Sequence, residues 1–128
     1  MRVLLIATNR HHRLMSRMDA RPLPIGLAYV AGHLDQDRHS LKVLDLMFSE
    51  DYLADVEDTV KEFQPDMVGI SIRNLGNHSY IDPQRALPTS KEVVDKVRSL
   101  SSAKIVVGAR LLTSCPKSAS PTWGLIWA

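Results

Sequence analysis

The stretch best equipped for chemistry is the run S-I-R-N-L-G-N at 71–77. Ser71, Asn74 and Asn77 offer short hydrogen-bonding arms, Arg73 offers a cation, and Gly76 leaves the backbone free to turn sharply or approach a ligand closely. Such a set suits holding a polar ligand. An ordinary turn uses the same Asn and Gly residues for their left-handed backbone angles. A second candidate is 9–21, where Arg10, Arg13, Arg17 and Arg21 face one acid, Asp19. That excess of cations could attract phosphate, and it equally describes a solvated loop.

Most catalytic and metal chemistries find no support. His11 and His12 are adjacent and cannot both face one site from a regular element, while His33, His39 and His78 are scattered. No H-x-x-x-H pair and no carboxylate–histidine cluster occurs, so a metal site is not expected. Neither G-x-x-x-x-G-K-[ST] nor a G-x-G-x-x-G after the first strand is present, which argues against a P-loop nucleotidase and a standard dinucleotide enzyme. Ser71 has no His and Asp nearby in sequence to activate it as a nucleophile. The only cysteine, Cys115, excludes an internal disulfide and a self-contained iron–sulfur cluster.

The elements that position these residues follow from periodicity. R-V-L-L-I-A-T at 2–8 is a short apolar run suited to a buried strand. Pro22 and Pro24 precede a helix over 25–35 whose apolar residues are numerous enough for it to be largely buried on a sheet. L-K-V-L-D-L at 41–46 alternates as a second strand, and Ser49 can cap the helix that follows. Leu53, Val56, Val60 and Phe63 form that helix's stripe, and Pro65 stops it. M-V-G-I-S-I at 67–72 reads as a central strand. A loop over 73–87 leads to Thr89 and Glu92, spaced as a capping box, and to the stripe Val93, Val94, Val97 and Leu100. K-I-V-V-G at 104–108 is the fourth strand.

Four strands therefore alternate with three helices, the signature of an α/β domain with a parallel sheet and crossover helices on both faces. Ligands in such sheets sit beyond the carboxyl ends of the strands. A phosphate-accepting receiver domain shares the alternation, but it needs acids after the first strand and an Asp after the third. Here those places hold Thr8-Asn9 and Ser71-Ile72-Arg73. The charge balance of 16 basic and 14 acidic side chains, with no aromatics interleaved among the arginines, gives no reason to expect nucleic acid. No apolar run approaches the ~18 residues of a membrane span. A soluble, cytoplasmic protein is expected.

Several stretches together resemble the N-terminal cobalamin-binding domain of cobalamin-dependent radical SAM enzymes, the group of the magnesium-protoporphyrin monomethyl ester cyclase and many methyltransferases. They are M-R-V-L-L-I-A-T-N, P-L-P-I-G-L-A-Y-V-A-G-H-L, H-S-L-K-V-L-D-L-M-F-S-E-D, F-Q-P-D-M-V-G-I-S-I-R-N-L-G-N, L-P-T-S-K-E-V-V-D-K-V-R and I-V-V-G, in the family's order, over 1–108. The resemblance implies a flavodoxin-like, doubly wound parallel sheet holding cobalamin at its carboxyl edge with the base detached from cobalt. By position it implies cofactor contacts from Asn9, Ser71, Arg73, Asn74, Gly76, Asn77 and Gly108. The D-x-H-x-x-G motif that supplies a cobalt ligand in methionine-synthase-like domains is replaced here by T-N-R-H-H-R-L, as is common in radical SAM members. Gly76 stands where the family often has Asp, and Arg85-Ala86 where aromatics often precede L-P.

After Gly108 the family pattern stops. The family continues with G-[SA]-x-F-x-[IL]-x-P-E, whereas this chain reads A-R-L-L-T-S-C-P-K-S-A-S-P-T-W-G. A shifted reading frame permits G-[SA]-A-F-N-I-L-P-E-E-x-L-A-Y-L-G. The expectation is an incomplete cobalamin-binding domain over 1–108, without its fifth strand and last helix, followed by an out-of-frame tail over 109–128. The family's C-x-x-x-C-x-x-C cluster motif needs three cysteines, so radical chemistry is expected only with a catalytic chain or domain beyond this sequence. The alternatives are a carrier that retains cobalamin, an inert remnant, or an unrelated flavodoxin-like protein for a phosphorylated ligand.

Overall fold

The computed structural model describes residues 1–8, 23–72, 87–108 and 126–127. The elements in chain order are β1 (Arg2–Ala7), α1 (Ile25–His33), β2 (Ser40–Asp45), a 3-10 turn (Leu46–Phe48), α2 (Tyr52–Phe63), β3 (Met67–Ser71), α3 (Leu87–Leu100), β4 (Lys104–Gly108) and β5 (Ile126–Trp127). All strand pairs are parallel, and the sheet order is β2-β1-β3-β4-β5. This is the doubly wound arrangement of a flavodoxin-like fold. One expectation needs correcting: a fifth strand is present, two residues long, with Ile126 and Trp127 opposite Val106 and Val107. Its shortness and its separation from β4 left no alternation to read in the sequence.

β1 lies between β2 and β3, and its side chains divide between two cores. Leu4 and Ile6 join Val68 and Ile70 of β3, Ile105 and Val107 of β4, Val56 and Val60 of α2, and Val93, Val94 and Val97 of α3. Val3, Leu5 and Ala7 point the other way, onto Leu27 of α1. The sheet thus carries α2 and α3 on one face and α1 on the other. The valine stripes of α2 and α3 form because positions three and four apart share a helix face.

α1 departs from its sequence reading. It is apolar on nearly every side, yet only Leu27 is buried, and Ile25, Tyr29 and Val30 are more than half exposed. Its length also falls short of Asp35, because Leu34 already takes extended backbone angles. Apolar composition signals burial only where a neighbour covers the helix, and β1 covers one flank.

Two capping expectations also change. Asp51, not Ser49, caps α2, accepting a hydrogen bond from the Ala54 amide at 3.1 Å. The intervening 3-10 turn, whose Met47 amide donates to the Asp45 carboxylate at 3.0 Å, moves the helix start beyond Ser49. Thr89 and Glu92 form no capping box, because α3 begins at Leu87 with Pro88 in its first turn. Glu92 instead accepts a hydrogen bond from the Tyr52 hydroxyl of α2. Gln64, in the left-handed region at φ 48°, ends α2, and its amide donates to the Val60 carbonyl.

α2 and α3 are further joined by charge. Glu57 on α2 pairs with Lys61 one turn on and with Lys96 on α3. Hydrogen bonds from these two ammonium groups, Lys61 first, lower the Glu57 carboxyl from 4.5 to about 2. A carboxyl depressed on folding contributes stability that is complete above its unfolded value and is lost as pH falls through the folded one. The melting temperature should therefore fall between pH 4.5 and about 2 partly through Glu57. Glu57→Gln should give a shallower fall over that window in thermal melts at matched salt, and an unchanged slope would assign the acid sensitivity elsewhere.

Candidate functional site at the carboxyl edge of the sheet

The chain runs outward from β1 to β2, then returns to β3 on the other side of β1. The switch point therefore lies between the carboxyl ends of β1 and β3, where connections leave on opposite faces and a crevice forms. The residues there are Thr8, which follows β1, and Ser71, which ends β3. The Thr8 amide donates to the Ser71 carbonyl at 3.2 Å, and the Thr8 hydroxyl donates to the same oxygen at 3.1 Å. On the far side of β3, the Ile72 amide donates to the Gly108 carbonyl at 2.9 Å. The Ser71–Ile72 peptide is thus held from both neighbouring strands.

The in-register partners Ala7, Ser71 and Gly108 place three small residues side by side on the α1 face of the sheet. Ser71 is partly exposed, and its side chain has no hydrogen-bond partner among the described residues. A Cβ added at Gly108 would meet nothing within 4 Å, so open space adjoins its backbone. One pleat back, Gly69 supports Leu5, since a Cβ there would lie 2.7 Å from Leu5 Cδ2. Among the described residues, this edge forms a trough of small side chains, with uncovered backbone at Gly108 and a partly exposed Ser71 that can offer a neutral hydrogen bond.

Of the residues expected from the sequence, Ser71 and Gly108 are brought together at this edge. Asn9, Arg73, Asn74, Gly76 and Asn77 lie outside the described residues, as do His11 and His12 and almost the whole of 109–128. Sequence reasoning overlooked two contributors. Gly69 interrupts an otherwise apolar, β-branched run, a sign of close approach within a strand. Ser90 sits three and four residues before Val93 and Val94, hence on the buried stripe of α3, where it contacts Thr8. No group of three His, Cys, Asp or Glu side chains able to hold a metal ion gathers among the described residues.

Comparison with known proteins gives the class. The B12 binding domain family matches residues 14–122, and the chain belongs to that family. Two solved structures from Kitasatospora setae share its fold at a TM-score of 0.80 and 22% identity over 96% of this chain. Both are of TsrM, a radical S-adenosylmethionine methyltransferase, one with tryptophan substrate and the SAM analogue aza-SAM, the other with cobalamin and a 4Fe–4S cluster. The chain spans only 22% and 21% of their lengths. No curated protein matches the sequence. No described helix is long and apolar enough to cross a membrane.

The two glycines should respond oppositely to a methyl group. Gly108→Ala should leave the melting temperature within a few degrees of the parent, because its Cβ enters open space. Gly69→Ala forces the tip of the Leu5 side chain to shift and should destabilise by about 1 kcal/mol, the low end of overpacking costs because a side-chain end and not backbone must move. Urea unfolding of both variants tests the trough, and equal stabilities would show that the two positions share one environment.

Proposed function

We propose that this chain is a cobalamin-binding module that holds the cofactor base-off at the carboxyl edge of its sheet, and that it acts in the cytoplasm with a radical SAM catalytic chain or domain. The observation that carries this reading is the pairing of a partly exposed Ser71 with the uncovered backbone of Gly108 at the switch point, in a member of the B12 binding domain family. Bound cobalamin supplies the chemistry of its cobalt, and the protein supplies binding, orientation and shielding.

Each residue has a defined part. Gly108 lets the ligand reach the β4 backbone, and Gly69 lets Leu5 pack close beneath β3. Ser71 offers its hydroxyl, able to donate or accept. Asn9, Arg73, Asn74, Gly76 and Asn77 complete the contacts by the family resemblance of their motifs. The base-off state rests on that resemblance, with T-N-R-H-H-R-L after β1 in place of D-x-H-x-x-G. The catalytic partner is suggested by the matched methyltransferase structures, most of whose length lies outside the matched region.

The purified chain mixed with hydroxocobalamin and desalted should retain corrinoid with a base-off visible spectrum. Ser71→Ala and Asn74→Ala should each weaken retention by about five- to tenfold, the value of one or two neutral hydrogen bonds. A folded chain that retains no corrinoid overturns the reading, and unchanged affinity in both variants removes Ser71 and the 73–77 motif from the site.

The division at Gly108 is part of the same proposal: 1–108 carries the family's own residues, and 109–128 is read out of frame, with β5 of that tail pairing onto β4. The codon-compatible string G-[SA]-A-F-N-I-L-P-E-E supports it. Sequencing the underlying DNA tests it, since codons incompatible with the shifted string would refute it.

A further inference from the structure

We infer that Thr8 and Ser90 are positioning residues that hold the Ser71 backbone, and with it the Cβ that carries the hydroxyl, at the ligand edge; this rests on the cobalamin reading above. Both side chains are buried, Thr8 at 1% exposure and Ser90 at 0%. Their hydroxyl oxygens lie 3.0 Å apart. A hydroxyl has one proton to give. Thr8 gives its proton to the Ser71 carbonyl, which can only accept, and its oxygen shares a hydrogen bond with the Ser90 hydroxyl. The contacts run from the first turns of α3, through the end of β1, to the end of β3.

Stability alone does not call for this arrangement. The surroundings are apolar, with Ile6, Ile70, Ile72 and Val94 all buried on the same face. Replacing both members of a buried hydrogen-bonded pair by apolar groups of like shape is often nearly neutral. The Thr8 hydroxyl does something an apolar side chain cannot: it adds a second donor to a carbonyl that already accepts from the Thr8 amide. That carbonyl belongs to Ser71, and the Ile72 amide of the same peptide is tied to Gly108. With both sides of the peptide held, the backbone that carries Ser71 on the α1 face, in register with the open Gly108, is fixed. The ligand then meets a backbone already ordered and need not order it on binding. The contacts also join three boundaries of the carboxyl edge: the end of β1, the end of β3 and the start of α3.

The test is a double-mutant cycle in the full chain, reading hydroxocobalamin affinity by absorbance titration, with thermal melts on the same samples. Thr8→Val keeps the shape and removes the hydroxyl, and Thr8→Ser keeps the hydroxyl. Thr8→Val and Ser90→Ala should each raise Kd by about fivefold, and Thr8→Ser should stay within about twofold of the parent. In a Ser71→Ala background, Thr8→Val should have almost no further effect, because the hydroxyl whose backbone it holds is gone. An equal loss with and without the Ser71 hydroxyl, or no loss at all, overturns the inference. Amide exchange of Ile72 separates this outcome from failure of the cobalamin reading. If the parent chain takes up no corrinoid, faster Ile72 exchange in Thr8→Val still supports the positioning chain, and unchanged exchange overturns it.

Discussion

β1 has no free edge and no exposed face. It is hydrogen-bonded to β2 on one side and β3 on the other, and from Val3 to Thr8 every side chain is buried. Burying an aliphatic side chain of this size is worth about 1.5–3 kcal/mol. Register on such a strand is strongly fixed, because a slip by one residue would send every side chain to the opposite core. Thr8 would then leave Ser90, and Ala7 would leave its place opposite Ser71. The positions of the small residues at the carboxyl edge are therefore set by the packing of Leu4 and Ile6 on one face and Val3 and Leu5 on the other.

The two faces of the sheet are unequal. α2 and α3 close one face with a continuous valine-rich core, braced outside by Glu57 with Lys61 and Lys96 and by Tyr52 with Glu92. α1 closes the other through Leu27, with Ala31 and Leu34 partly buried. The trough lies on this thinner face. Among the described residues, the β3 and β4 side chains there, Met67, Ser71 and Val106, are only partly covered. A ligand seated over them would complete the packing of this face. Binding and folding would then be linked, since a ligand that favours the folded chain stabilises it by mass action.

Much of this organisation was legible in the sequence. The period-two and short apolar runs gave the four main strands, and the stripes Val56/Val60 and Val93/Val94/Val97 gave α2 and α3, because both patterns report directly on burial. Ends were harder to place. Ser49 carries the right chemistry for a cap, but a 3-10 turn delays the helix to Asp51, and only the local backbone path reveals that. Glu92 has the capping-box spacing, yet it bonds to a tyrosine 40 residues away. α1 shows the reverse problem: its composition promises burial, and Ile25, Tyr29 and Val30 are exposed. At the site, Ser71 and Gly108 could be named as strand ends. The Thr8–Ser90 contact could not, since it joins positions 82 residues apart.

Among the described residues, the ion pairs of α2 and α3 lie apart from the hydroxyls and backbone groups at the carboxyl edge. The junction of β1, β3 and β4 is furnished with hydroxyls, amides and carbonyls, from Thr8, Ser71, Ile72 and Gly108. The strongly shifted carboxyl, Glu57, lies across the sheet on α2. α3 connects the two, because Lys96 anchors it to α2 and Ser90 anchors it to β1. A helix pinned at both places can hold the Thr8 hydroxyl steady while the outer ion pairs respond to acid and salt. The ion pairs are surface interactions of small individual worth. The buried hydroxyl contact is screened from both solvent and salt. The geometry of the carboxyl edge therefore depends on packing and neutral hydrogen bonds, and the surface charges act on it only by keeping α3 in place.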